Sequence, residues 1–220
     1  NRRQLANRSY SEARTPSVPA ALLELLSHQN FADMKYGLDP AFRFTVSRAV
    51  YKGMLKFLSG RYGVRYCVQP LPVHSFSATL TGSGKVQLSW RPTLDSLELT
   101  AMPDRYMLYT RIDDGAFDNG ELLTGLRHED GRLTIDRKID QGHIYSYRIV
   151  ACNEGGRSFP SETLSVGEVE CSPHTVLVVN NFDRVAPPAW FDTPTYAGFD
   201  ERLDAGVPYM YEINKIGEMY

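Results

Sequence analysis

The sequence predicts a mixed fold, with an all-β sandwich set between a helix-bearing first segment and a third segment that opens on a strand of α/β type. Three observations predict it. Apolar residues recur at three- and four-residue steps from Pro40 to Leu58, the period of one helical stripe. From about His74 to Val169 the period becomes two, with turn residues between the runs, as in an antiparallel sandwich. At Thr175–Val179, "TVLVV" is a short continuous β-branched run, the pattern of a strand covered on both faces.

The chain of 220 residues has room for one large domain or two small ones. Its 24 basic and 26 acidic side chains nearly cancel, so it offers no net field for nucleic acid or anionic lipid. Arg2, Arg3, Arg8 and Arg14 are the one local excess and read as solvated surface. No apolar run is long enough to span a bilayer. Cys67, Cys152 and Cys171 lie far apart without metal spacing; their odd number argues against a full disulfide framework, and one bridge plus one thiol fits it. The opening at Asn1 within a helix-like stretch and the stop at Tyr220 within an aromatic one lead us to expect a piece of a longer protein.

The first segment runs from 1 to 62. Phe42, Val46, Ala49, Val50, Met54, Phe57 and Leu58 form the helical stripe. Asp39-Pro40 supplies a capping carboxylate and a proline at the first helical position, and Gly60 and Gly63 supply the stop. Upstream, Glu24 stands alone in the apolar run Ala20–Leu26. By propensity this run is a helix begun at Ser17 or Pro19, with Glu24 solvated.

In the second segment, residues 74–169, Val86, Leu88 and Trp90 share one face, as do Tyr106, Leu108 and Thr110; Leu133 and Ile135; and Tyr145, Tyr147, Ile149 and Ala151. Asp113-Asp114-Gly115, Asn119-Gly120, Asp130-Gly131 and Gly155-Gly156 mark the turns. Pro70 and Pro72 read as a stiff linker. The stretch Ile139–Glu162 resembles a fibronectin type III module, through Ile139, Gly142, Tyr145, Tyr147, Ile149, Ala151, Asn153, Gly156 and Ser158. Gln141 stands where that family usually has proline. The resemblance implies that Tyr145 makes the tyrosine corner and that Trp90 is the core tryptophan of the second strand. Such modules act as spacers or binding surfaces. Met107, Tyr109 and Arg111, on the other face of the third strand, are either ordinary surface or contacts for sugar rings.

The first segment is similar to the C-terminal end of zinc-dependent N-acetylmuramoyl-L-alanine amidases. The similarity is carried in order by Val18-Pro19-Ala20, Leu23-Glu24, Asn30, Asp39-Pro40 and the following helix. Leu25-Leu26-Ser27-His28 replaces the Gly-Phe pair common in that family. The resemblance implies an α/β domain remnant in which Ala20–Leu26 is a strand. It implies that Glu24 is the catalytic carboxylate that moves a proton between the attacking water and the leaving amine. It also implies zinc held by two histidines and a glutamate upstream, peptidoglycan as substrate, and a secreted or periplasmic location. His28, His74, His128, His143 and His174 have no ligand spacing, so this chain is expected to hold no metal and to hydrolyse nothing by itself. His28 reads either as a surface loop residue or as part of the cleft of Glu24.

The third segment, 172–220, resembles the beginning of a domain that follows the fibronectin module in secreted Bacteroidetes-type proteins labelled xanthan lyases. Asn180, Asn181, Asp183 and Arg184 follow its expected strand, as a structural loop or a ligand loop. Trp190, Phe191 and Tyr196 are expected to pack on neighbouring domains. The parent protein is thus expected to be a peptidoglycan amidase, with a non-catalytic carbohydrate-binding or scaffolding protein, or a polysaccharide lyase, as alternatives.

Overall fold

Alternation in the second segment decides which side chains leave water, and the two sheets follow from it. The computed structural model describes residues 10–172, 174–177, 185–203 and 207–208. One sheet has the order β1-β2-β6-β5, from β1 (His74–Gly82), β2 (Lys85–Arg91), β5 (Arg127–Glu129) and β6 (Arg132–Lys138). The other runs β4-β3-β7, from β3 (Arg105–Ile112), β4 (Glu121–Leu122) and β7 (Ile144–Asn153). Both β8 (Gly156–Arg157) and β9 (Leu164–Gly167) pair with β7, and every pair in the two sheets is antiparallel. This is the strand order expected of a fibronectin type III sandwich.

The inward faces match the sequence expectation except at Thr110, which is only half-buried and outside the core. Val86, Leu88, Trp90 and Ile149 are wholly buried, and Tyr106, Leu108, Leu133, Ile135, Tyr145, Tyr147 and Ala151 join them in one core. Leu88 lies opposite Ile135 and Trp90 opposite Leu133 on one sheet; Leu108 lies opposite Ile149 on the other. Trp90 meets Tyr106 edge-on at 5.4 Å, a favoured aromatic geometry. The Tyr145 hydroxyl accepts the Asp140 N–H at 3.2 Å, so the expected corner forms. Asp130 and Gly131 both take positive φ, 48° and 72°, which makes the two-residue turn joining β5 to β6.

The segment read as a linker is part of the packing. Val68 is wholly buried and Val73 is 5% exposed. Asn153 Nδ2 donates to the carbonyl oxygen of Val68 at 2.8 Å. A Cβ on Gly155 would lie 2.5 Å from the Cys67 oxygen, so glycine there lets the two backbones touch.

In the first segment, α1 (Ser11–Arg14) is a single turn, α2 spans Phe31–Gly37 and α3 spans Pro40–Tyr62. Asn30 caps α2 by accepting the Asp33 N–H, and Asp39 caps α3 by accepting the Ala41 N–H at 2.9 Å. Gly60 does not end α3, because helical φ is open to glycine. The helix stops at Gly63, whose φ of 67° is the left-handed cap. Residues 19–27 are neither the helix that propensity predicts nor the strand that the amidase resemblance implies. Seven residues are too few for an unsupported helix, and no described strand lies alongside to complete a ladder.

In the third segment, the expected strand Thr175–Val179 is not formed over its described part. Residues 175–177 are irregular, with Val176 82% and Leu177 83% exposed; no described strand covers either face. Positions 178–179, and Asn180, Asn181, Asp183 and Arg184, lie outside the described residues. Downstream, β10 (Val185–Ala186) pairs with β13 (Val207–Pro208) in parallel, and β11 (Trp190–Asp192) pairs with β12 (Ala197–Phe199) as a hairpin. Trp190 and Phe199 pack on Phe31 of α2, with ring centroids at 6.3 and 5.3 Å, and Lys35 Nζ lies 4.1 Å over the Trp190 ring. The third segment therefore folds back onto the first.

Candidate functional site

Three places hold candidate chemistry, beginning with Glu24. It sits on an extended, exposed stretch, and Leu22, Leu23, Leu25 and Leu26 around it are each more than 40% exposed. The apolar surround expected of a catalytic carboxylate is not supplied by the described residues, because the run has no sheet to bury it. Leu26 holds a positive φ of 61°, and its Cδ1 reaches the space beside Gly37 at the end of α2. His28 is exposed. Among the described residues no three His, Cys, Asp or Glu side chains converge where a metal ion could be held. The three cysteines are all thiols: Cys152 is buried, Cys67 half-buried and Cys171 exposed.

The second place is the junction between α3 and the sandwich, where Phe42, Val46 and Val50 of the expected apolar stripe are half-buried but its C-terminal part stays out. Met54, Phe57 and Leu58 remain 60%, 49% and 41% exposed. The neighbouring face of α3 docks instead, and it is polar. Arg48 Nε and Lys52 Nζ both reach Asp95 Oδ2, at 3.0 and 2.6 Å, and all three side chains are at least four-fifths buried. Arg48 Nη2 also donates to the Gln69 carbonyl at 3.1 Å, and the Tyr51 hydroxyl accepts the Gln69 N–H at 3.3 Å. The helix thus grips the linker and the β2–β3 connection together. Burial pushes the Asp95 carboxyl up, but the hydrogen bonds from Lys52 and Arg48 outweigh it and leave it below the ordinary carboxylate value.

Next to this clamp, Glu98 is 8% exposed. It accepts the Tyr66 hydroxyl at 2.6 Å and the Thr100 hydroxyl at 2.7 Å. The Tyr66 hydrogen bond lowers Glu98. Burial, and then the same bond, push Tyr66 up to about 12. Phe44 of α3 adds an aromatic contact to Phe159 after β8, at 6.4 Å.

The third place is the outward face of the β3–β7 sheet. Met107, Tyr109 and Arg111 stand on it, as alternation predicts, opposite Val150, Arg148 and Ser146 of β7. Tyr109, Phe117, Arg148, Val150, Arg157 and Pro160 line a cleft of about 290 Å³. A second cleft of about 240 Å³ continues from it past Arg105, Met107 and Leu122, and Arg157 lines both. The Arg148 and Arg111 guanidinium carbons lie 4.4 and 5.2 Å from the Phe117 centroid. Arg157 Nη1 donates to the Tyr109 hydroxyl at 3.0 Å. Burial, and then Arg111 nearby, lower the Arg148 pKa.

Of these groups, the sequence reading had Glu24, Met107, Tyr109 and Arg111. It missed Asp95, Arg48 and Lys52, whose meeting spans more than forty residues of chain. Arg148 was legible as an outward position of the "YSYRIVA" alternation. Nothing in the local pattern marked Phe117 or Arg157.

No family model and no curated protein matches this sequence. Solved structures do resemble the sandwich. A fourth fibronectin type III domain from human aligns at 21% identity over 54% of this chain and 96% of that one, with a TM-score of 0.38. The FN5 domain of Drosophila Lar aligns at 15% over 46% and 97%, TM-score 0.33. The twitchin kinase region from C. elegans aligns at 22% over 49% of this chain, TM-score 0.37, and the match spans 18% of that longer chain. The likeness to a fibronectin type III sandwich is carried by the strand order and the Tyr145 corner of this chain.

Proposed function

We propose that the sandwich is a spacer module that holds the last helix of a preceding catalytic domain in a fixed pose. The observation that carries this is the buried grip of Arg48 and Lys52 on Asp95, with Gln69 bound through both its backbone groups. Charge pairs taken out of water demand fixed geometry, because one partner left alone in the interior is costly. A flexible tether has no use for such a joint. Substituting Asp95→Ala should leave the sandwich folded but free α3. The test is limited trypsin digestion followed by mass spectrometry, with cleavage between Arg43 and Arg65 accelerated at least about ten-fold. Unchanged protection of α3 would remove the clamp.

The preceding domain, on this reading, belongs to a secreted N-acetylmuramoyl-L-alanine amidase acting on peptidoglycan. The ordered residues Val18-Pro19-Ala20, Glu24, Asn30 and Asp39-Pro40 support it, and α3 begins at its expected cap, Asp39. Zinc would be held by residues other than those described here, and Glu24 would contribute proton transfer from the attacking water to the leaving amine. In the full-length parent, Glu24→Gln should lower muropeptide amide cleavage by roughly 100-fold or more while metal content stays constant. Undiminished cleavage would take the role from Glu24. If the parent cleaves no amide bond and instead binds polysaccharide intact, the scaffolding alternative stands in its place; an unsaturated sugar product would point to a lyase.

A further inference from the structure

We infer that the outward face of the β3–β7 sheet is a binding trough for an acidic saccharide, with Arg148 and Arg157 taking the carboxylate and Tyr109 and Phe117 taking the apolar face of the sugar ring. This reading is independent of the amidase proposal. It starts from an imbalance of charge. Arg111, Arg148 and Arg157 stand close together around Tyr109 and Phe117, and among the described residues none of the three forms an ion pair with a carboxylate. Their hydrogen bonds go to neutral oxygens: Ser146 Oγ at 3.2 Å, Thr163 Oγ1 at 2.6 Å and the Tyr109 hydroxyl at 3.0 Å. Elsewhere on this sandwich arginines do find acids, as Arg127 does with Asp136 and Arg137 with Glu121. The three on this face are thus left with net positive charge in a concave, partly apolar site, which raises the local concentration of anions.

The shape then narrows the ligand. A guanidinium presents a planar fork that matches a carboxylate through two parallel hydrogen bonds. Arg157 is exposed and uses only one of its nitrogens on Tyr109. Tyr109, Phe117, Val150 and Pro160 make the floor and wall of the first cleft apolar, and half-exposed aromatic rings suit the C–H face of a pyranose. The two clefts share Arg157, which gives room for more than one sugar on either side of it; Arg105 in the second cleft is already paired with Asp104, so the anion-binding charge lies at Arg148 and Arg157.

The experiment is an amide NMR titration of the 220-residue chain with trigalacturonate, with the neutral trisaccharide maltotriose and inorganic phosphate as parallel arms. Trigalacturonate should bind saturably at millimolar concentration or below, shift the amides of Tyr109, Phe117, Arg148 and Arg157, and weaken as salt is raised. Arg157→Gln should weaken it at least about ten-fold, about 1.4 kcal/mol, with the core amides of Leu88, Trp90 and Ile149 unmoved. Absence of saturable shifts, or equal binding of maltotriose, would overturn the proposal. Phosphate binding as tightly as trigalacturonate at the same residues would also overturn it, leaving a bare oxyanion site.

Discussion

Gly155 shows how narrow the tolerance is where backbones meet. Its missing Cβ is the space occupied by the Cys67 carbonyl oxygen and the Val68 carbonyl carbon, 2.5 and 2.7 Å from where that atom would sit. Gly155→Ala should therefore lower the unfolding free energy by about 1–3 kcal/mol through overpacking, read from the shift in urea midpoint. Gly131, whose φ of 72° lies in a turn with only the end of Arg91 nearby, is strained by a side chain through backbone conformation alone. At this scale much was legible. Trp90, Tyr145, Leu88 and Ile149 announced themselves by type and alternation, because a strand with one buried face has only one way to hide its apolar residues. Gly155 read merely as a turn, since the segment it touches lies more than eighty residues away.

At the scale of elements, α3 and its clamp make a pH-dependent joint. Asp95 has a folded-state pKa below the ordinary carboxylate value, through its hydrogen bonds to Lys52 and Arg48 against the opposing effect of burial. A depressed acid contributes stability above its unfolded pKa, about 3.9, and that contribution is lost as pH falls through the lower folded value. Glu98 is depressed in the same sense, by its bond from Tyr66. Docking of α3 should thus be constant from neutral pH down to about 4 and fail below it. Amide NMR of Arg48, Tyr51 and Lys52 against Trp90 would show it; release of the helix at pH 5–6 would contradict the assignment. The start and length of this helix were legible from Asp39-Pro40 and Gly63. The face it docks was not. Its apolar stripe is the strongest local signal, yet the stripe's C-terminal half stays exposed and the contacts to Asp95 and the Gln69 backbone come from Arg48, Tyr51 and Lys52 beside it.

For the whole molecule, the sandwich extends into what reads as linker. A chain beginning at Val64 should lose only the contribution of the α3 clamp. One beginning at His74 loses the buried Val68 and Val73 and the acceptor of Asn153, and should be roughly 3–6 kcal/mol less stable at about 1.5–3 kcal/mol per buried side chain. Equal thermal unfolding of the two would show the segment to be only a tether. The contact of Trp190 and Phe199 with Phe31 joins the third segment to α2, so the third segment meets the first, which itself docks on the sandwich through α3.

By itself the sequence determined the sandwich, most of its inward faces and the start of α3, because these follow from periodicity two, turn residues and a cap that a few neighbouring residues specify; the tyrosine corner came from the resemblance of Ile139–Glu162 to fibronectin type III modules. Only the tertiary structure decided that the linker is packed, that α3 docks through charge, that Glu24 stands in the open, and that three arginines gather around one aromatic cleft. Each of these is a meeting of residues far apart in the chain. Local pattern carries no information about which distant surface supplies the partner, and it is that partner which sets burial, charge balance and therefore chemistry.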